Sequence, residues 1–359
     1  KIFNPGTIGQ LAAEYAAGIP GFDGTRFARE ALEGFPEREL MARMEWMADC
    51  LEGQLARDFP TMADQLEAAM PPPLDPTLSD DDFGHFMHGL PGILAVRHGL
   101  KDHRDRALDL LETATKRFTM EFYIRAFINR WPEETLARMA LWAQDPNYHV
   151  RRLVSEGTRP KLPWAKAVDL TTDQTGPLLD ALHADPTRFV TRSVSNHLND
   201  IAKKQPELVI SKLDQWAKAG SQQPKELAWM TRNALRTLVK DGHEGALSLL
   251  GYRKDVPVQA QLTLGAPQYR IGETLEISCM LTAPQALPVI VDYRMVFARP
   301  QGKTGQKVFK LKVGKIAAGK SLSLRKGHVL KGNATTFTLH PGPHQIVLQV
   351  NGVDVAVAD

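Results

Sequence analysis

The sequence predicts a mainly α-helical solenoid followed by a small all-β sandwich, and three observations carry that prediction. First, Arg152, Arg192 and Arg232 recur at an interval of 40 residues inside a repeated pattern. The copies read D-P-N-Y-H-V-R-R-L-V-S from Asp145, D-P-T-R-F-V-T-R-S-V-S from Asp185 and K-E-L-A-W-M-T-R-N-A-L from Lys225. The third keeps the apolar positions and the arginine but lacks the Asp-Pro. A period near 40 with a turn before each copy is the signature of stacked helix pairs of the HEAT type. One pair cannot bury its apolar face alone, so successive pairs stack into a solenoid with a concave surface. Second, the apolar period changes from helical to two after Tyr252. Third, charge is unevenly spread. Residues 1–110 carry 10 basic and 19 acidic groups, residues 111–252 carry 20 and 16, and residues 253–359 carry 14 and 6. Net charge therefore climbs from −9 through +4 to +8 along the chain. Such asymmetry points the later parts towards an anionic partner, with nucleic acid the first candidate.

Within residues 1–252, the stretch from Phe35 to Met70 places Leu40, Met44, Met47, Leu51 and Leu55 on one helical face, and Pro71, Pro72 and Pro73 end it. Thr61 and Ser79 are candidate N-caps, and Gly99, Gly157 and Gly220 candidate helix ends. Residues 253–359 read as seven strands of an immunoglobulin-like sandwich: Gln259–Leu264, Thr274–Met280, Val289–Phe297, Val308–Val313, Ser321–Leu324, Thr335–Leu339 and Gln345–Val350. Asn351-Gly352 is a hairpin turn signal. Lys303 to Lys331 holds nine basic residues and no acidic one. Its lysines Lys307, Lys310, Lys312 and Lys315 are candidate phosphate contacts. Two distant cysteines, Cys50 and Cys279, suit a reducing, cytoplasmic setting. No run of eighteen apolar residues and no signal-peptide pattern is present. His85 and His88 form H-x-x-H without a third ligand at metal-site spacing, so no metal is expected.

Three segments resemble the DNA alkylation repair glycosylases of the AlkC/AlkD family. They are V-R-R-L-V-S-E-G-T-R-P-K-L-P-W from Val150 to Trp164, F-T-M-E-F-Y-I-R from Phe118 and W-A-Q-D-P from Trp142. The basic sandwich after the solenoid is similar to the AlkC branch. The resemblance implies a monofunctional glycosylase, acting on bases alkylated at minor-groove nitrogens without extruding them, unlike most base-acting enzymes. It also implies alkylated double-stranded DNA as the partner of a monomeric enzyme. That enzyme would be cytoplasmic and associated with the nucleoid while on DNA, with no cofactor and no membrane.

A base methylated at N3 is already cationic and departs without a general acid. The charge that develops on the deoxyribose calls for a carboxylate and an aromatic face. Glu156 follows Arg152 by four residues and sits in the last helical turn, where the dipole disfavours an acid. It is either functional or the partner of an i, i+4 ion pair. Trp164, in a turn between Pro160 and Pro163 with Arg159 and Lys161 beside it, is either a stacking platform or a core residue. Glu121 reads as a first-turn acid behind a Thr119 cap, on a helix running to Trp131. The resemblance places an acidic or aromatic residue of this helix near the cleft. Arg152 and Arg192 face either DNA or the aspartates seven residues before them, Asp145 and Asp185. Arg232, with Lys225 in that place, is freer for phosphate. Arg192, Asn196, Asn199 and Lys203 form a polar stripe that either tracks a DNA backbone or is a solvated face. Set against the glycosylase is a non-catalytic helical scaffold that binds nucleic acid or protein.

Overall fold

The computed structural model describes residues 2–80, 82–255, 257–334 and 337–359. Its α-helices are α1 (Pro5–Gly18), α2 (Gly24–Glu33), α3 (Leu40–Glu52), α4 (Phe59–Ala68), α5 (Leu90–Leu94), α6 (Arg104–Thr115), α7 (Glu121–Arg130), α8 (Pro132–Trp142), α9 (Tyr148–Gly157), α10 (Thr172–Leu182), α11 (Arg188–Ala202), α12 (Pro206–Ala219), α13 (Pro224–Ala234), α14 (Arg236–Lys240) and α15 (Glu244–Leu249). Arg152, Arg192 and Arg232 lie on α9, α11 and α13, one per copy of the repeat. The amphipathic stretch from Phe35 to Met70 is divided between α3 and α4. Asp58 rather than Thr61 caps α4, its carboxylate accepting the Thr61 amide at 3.0 Å. Ser79 caps no helix among the described residues; its carbonyl accepts the Phe189 amide at 2.9 Å.

Each Asp-Pro of the repeat builds a turn. Asp145 Oδ1 accepts the Asn147 amide at 2.7 Å, and Asp185 Oδ1 accepts the Thr187 amide at 2.8 Å. These are Asx-turns that aim the chain into the following helix. The copies are then tied to one another. Arg151 Nε donates to Asp185 Oδ2 at 2.5 Å, and Arg188 Nε to Glu226 Oε1 at 2.7 Å. Gly157 lets α9 approach α7 closely, since a Cβ there would stand 2.7 Å from Ile124 Cγ2.

The chain forms two compact units, residues 1–201 with 216–233 and residues 202–215 with 234–359. The second contains β1 (Gln259–Leu264), β2 (Thr274–Thr282), β3 (Leu287–Ala298), β4 (Thr304–Ile316), β5 (Ser321–Val329), β6 (Asn333–Ala334), β7 (Phe337–Thr338), β8 (His344–Val350) and β9 (Val353–Ala358). These make sheets of order β1-β2-β5 and β4-β3-β8-β9, with β6 and β7 as a separate pair. Alternate residues Val289, Val291, Tyr293, Met295 and Phe297 of β3 supply the core between them. Thr335, the first residue of the sixth expected strand, lies outside the described residues. The turn signal at Asn351-Gly352 is real: φ values of 50° and 77° give a two-residue hairpin into β9, a strand absent from the sequence expectation. Asn351 also locks the helical tail to the sheet. Its side-chain amide donates to the Arg253 carbonyl at 2.8 Å and the Pro288 carbonyl at 3.1 Å, while its oxygen accepts the Ile290 amide at 2.9 Å. Gly242 meets Gly352 backbone to backbone, where any side chain would intrude.

Candidate nucleic-acid interface and active site

Three helices of the first unit converge on a buried chain of charges. Helix α9 contributes Arg152 and Glu156, one turn apart on the same face, with Arg159 just beyond its end. Arg152 Nη1 donates to Glu121 Oε2 of α7 at 3.1 Å and to the Thr119 hydroxyl, and its Nη2 stands 3.6 Å from Glu156 Oε1. Arg159 Nη1 donates to Glu156 Oε1 at 2.6 Å, while its Nε and Nη2 donate to Asp200 Oδ2 of α11 at 3.0 and 2.9 Å. The second oxygen of Glu156 accepts from the Ser193 hydroxyl at 2.6 Å. Glu156 is 5% exposed and Glu121 6%. The Arg152 guanidinium also lies over the rings of Phe189 and Phe83, at 4.8 and 5.7 Å.

The environment separates the two glutamates. Burial pushes Glu156 up, but Arg152, Arg159 and the hydrogen bonds from Ser193 and Arg159 outweigh it, and its pKa falls below the ordinary value. Glu121 goes the other way. Burial dominates, Arg152 only partly offsets it, the Glu156 charge adds to it, and the pKa is raised. Glu156 is therefore the carboxylate that keeps its charge.

The structure gives each of the other candidate residues a place. Arg152 pairs with Glu121 and Glu156, not with Asp145, and Thr119 serves Arg152 instead of capping α7, whose N-cap is Met120. Arg192 meets Asp80, while Asp185 is taken by Arg151. The core alternative for Trp164 fails: the side chain is 91% exposed, at φ 62° on the loop between α9 and α10. Lys161 is exposed on the same loop, and Arg232 is exposed on α13. Asn196 Oδ1 accepts from Asn233 Nδ2 at 3.3 Å, a link between successive copies. Lys203 is exposed and lies in the second unit. In the sandwich, Lys310 Nζ is 2.9 Å from the buried Asp292, and Lys307 Nζ lies 4.8 Å over the Phe337 ring. Lys310, Lys312 and Lys315 are all exposed on β4. His88 faces Glu14 at 2.9 Å, and the described residues contain no cluster able to hold a metal. Sequence reasoning missed Ser193, Asp200, Asp80, Phe83, Phe189 and Arg125. Their roles depend on pairings across 30 to more than 100 residues, for which a single sequence carries no signal.

A helical chain that buries linked carboxylates and guanidiniums and exposes a tryptophan on the loop after them, followed by an Ig-like domain, fits a class of DNA repair proteins. The chain belongs to the DNA alkylation repair enzyme family, in the branch with a YhaZ-type C-terminal Ig-like domain. Residues 95–238 match the DNA alkylation repair enzyme family, and residues 258–359 match the C-terminal Ig-like domain of uncharacterised protein YhaZ. The chain is 33% identical over 98% of its length to the uncharacterized protein YhaZ of Bacillus subtilis (strain 168), spanning 96% of that protein. It is similar across 99% of its length to the Pseudomonas fluorescens alkylpurine DNA glycosylase AlkC, solved bound to DNA containing an abasic site analog. The TM-score is 0.88 at 32% identity, and 97% of that chain is covered. These likenesses support a DNA repair glycosylase. No helix among the described residues is long and apolar enough to cross a membrane.

Proposed function

We propose that the protein is a monofunctional DNA glycosylase of base excision repair. It hydrolyses the N-glycosidic bond of positively charged N3-alkylated bases, 3-methyladenine first and 3-methylcytosine second, without extruding the base from the duplex. Residues 1–252 form the glycosylase domain and residues 253–359 a DNA-contacting domain. The observation that carries this reading is a nearly buried carboxylate, Glu156, faced by the guanidiniums of Arg152 and Arg159, which favour its charged form. A fixed charge in a poorly solvated site acts on a developing sugar cation far more strongly than one in water. Trp164 offers its exposed ring to the sugar or the base, and Glu156 also orients the attacking water. Arg152, Arg159, Lys161, Arg192, Asn196, Lys203 and Arg232 of the helical part, with Lys307, Lys310, Lys312 and Lys315 of the sandwich, make the DNA-facing set.

The scaffold reading also has an observation behind it, since both oxygens of Glu156 already have protein partners. Glu156→Gln separates the two readings, because the amide oxygen still accepts from Ser193 while the charge is gone. Release of 3-methyladenine from methylated duplex should slow by one to two orders of magnitude, about 1.4–3 kcal/mol, with abasic-duplex binding nearly intact. Excision within twofold of wild type, or no excision by the unmodified protein, removes the glycosylase reading of this site.

A further inference from the structure

Helix α7 presents Glu121, Arg125 and Asn129 at i, i+4 and i+8, on one face. Glu121 meets Arg152; the other two residues hold the loop between α9 and α10. Arg125 is 0% exposed, and the acceptors of its guanidinium are backbone carbonyls. Its Nη1 donates to Gly157 and Arg159 at 3.0 and 2.8 Å, and its Nε to Lys166 at 2.5 Å. Asn129 Nδ2 extends the set by donating to the Ala167 carbonyl at 2.9 Å. One helix face thus fastens both ends of the segment whose tip is Trp164. The tip itself is 91% exposed, with φ at 62°, a region that side-chain-bearing residues rarely adopt.

Burying a guanidinium against neutral carbonyls is costly, and an apolar side chain in its place would leave those carbonyls without their donor. The spread of the acceptors explains the choice of arginine: Nη1 serves Gly157 and Arg159 while Nε serves Lys166, and the single nitrogen of a lysine cannot occupy both places. We propose that Arg125 is a positioning residue that pins both ends of the 157–167 loop and so presents Trp164 in one fixed orientation to the nucleotide acted on by Glu156. The inference rests on the reading of Trp164 as an active-site residue. It makes the tryptophan a preorganised platform, set before DNA arrives, in place of a lid that folds down afterwards.

The test is a double-mutant cycle on the full-length protein. Single-turnover release of 3-methyladenine is measured for Arg125→Lys, Trp164→Ala and the double variant, alongside affinity for an abasic-site duplex. Arg125→Lys should slow excision by about tenfold, below the ~100-fold that a 1 Å misplacement can cost, without weakening duplex binding. In the Trp164→Ala background it should have no further effect. Losses that multiply in the double variant would show a role independent of Trp164 and overturn the inference alone. Wild-type excision by Trp164→Ala would overturn both the inference and the reading beneath it. Should Arg125→Lys fail to fold, Asn129→Ala takes its place in the cycle, because Asn129 is exposed and its loss leaves no buried group unsatisfied. It should slow excision severalfold, and that effect too should vanish once Trp164 is gone.

Discussion

Glu156 and Glu121 share one guanidinium yet shift in opposite directions, because Arg159 and Ser193 support only Glu156, and this gives the site a pH signature. Glu156 titrates below the ordinary carboxylate value and Glu121 above it. A carboxylate with a depressed folded pKa contributes stability above its unfolded pKa and loses it as pH falls through the folded value. Excision that depends on Glu156 should therefore stay level from neutral pH down to the ordinary glutamate pKa, about 4.3, and fall only below it. A fall that begins well above that value assigns the essential charge to Glu121. The dipole argument that singles out Glu156 in the sequence is local, which is why it is legible there. Its partners Ser193 and Asp200 are not, because nothing in their own neighbourhood distinguishes them from other polar residues of α11. Trp164 is a middle case. Two prolines and two basic residues mark its turn as rigid and basic, but only the fold puts the ring outside the core.

At the scale of elements, the repeat is legible in its period but not in its pairings. Asp-Pro and an arginine seven residues later suggest one ion pair per copy. The aspartates instead commit their carboxylates to Asx-turns and, at Asp185, to Arg151, a neighbour that the periodic pattern hides. The consequence falls on Arg192, which pairs with Asp80 from a distant segment. That segment is pinned on both sides of Asp80, by the Ser79 carbonyl on the Phe189 amide and by Phe83 packed 5.0 Å from the Phe189 ring. If Arg192 meets DNA, phosphate and Asp80 compete for it. Asp80→Asn should tighten binding to undamaged duplex about two- to fivefold, the range of an exposed ion pair. In an Arg192→Ala background the gain should disappear. Equal affinity of Asp80→Asn and wild type would make Arg192 a structural residue.

For the whole molecule, the change of period at Tyr252 marks where helices give way to strands, since α15 ends at Leu249 and β1 starts at Gln259. It does not mark where one compact unit ends, because residues 202–215 and 234–252 group with the strands. The Gly242–Gly352 approach is one tie between that stretch and the strands, and it has no signature in composition or period. The basic strand β4 is legible in charge but not in pairing, with Lys310 bound to Asp292. Lys312→Ala with Lys315→Ala should lower the slope of log affinity against log salt by about 1.8, or roughly 0.9 for each phosphate no longer neutralised. An unchanged slope would remove these two lysines from the DNA-facing set. The interleaving of the two units also has a consequence for biosynthesis. Helix α13 belongs to the first unit but follows residues 202–215, whose partners lie after residue 233. A ribosome adding about 10 residues per second leaves that segment waiting on the order of 10 s for the strands that complete its unit. Over that interval the residues of the amino-terminal unit are all present while those of the second unit are not.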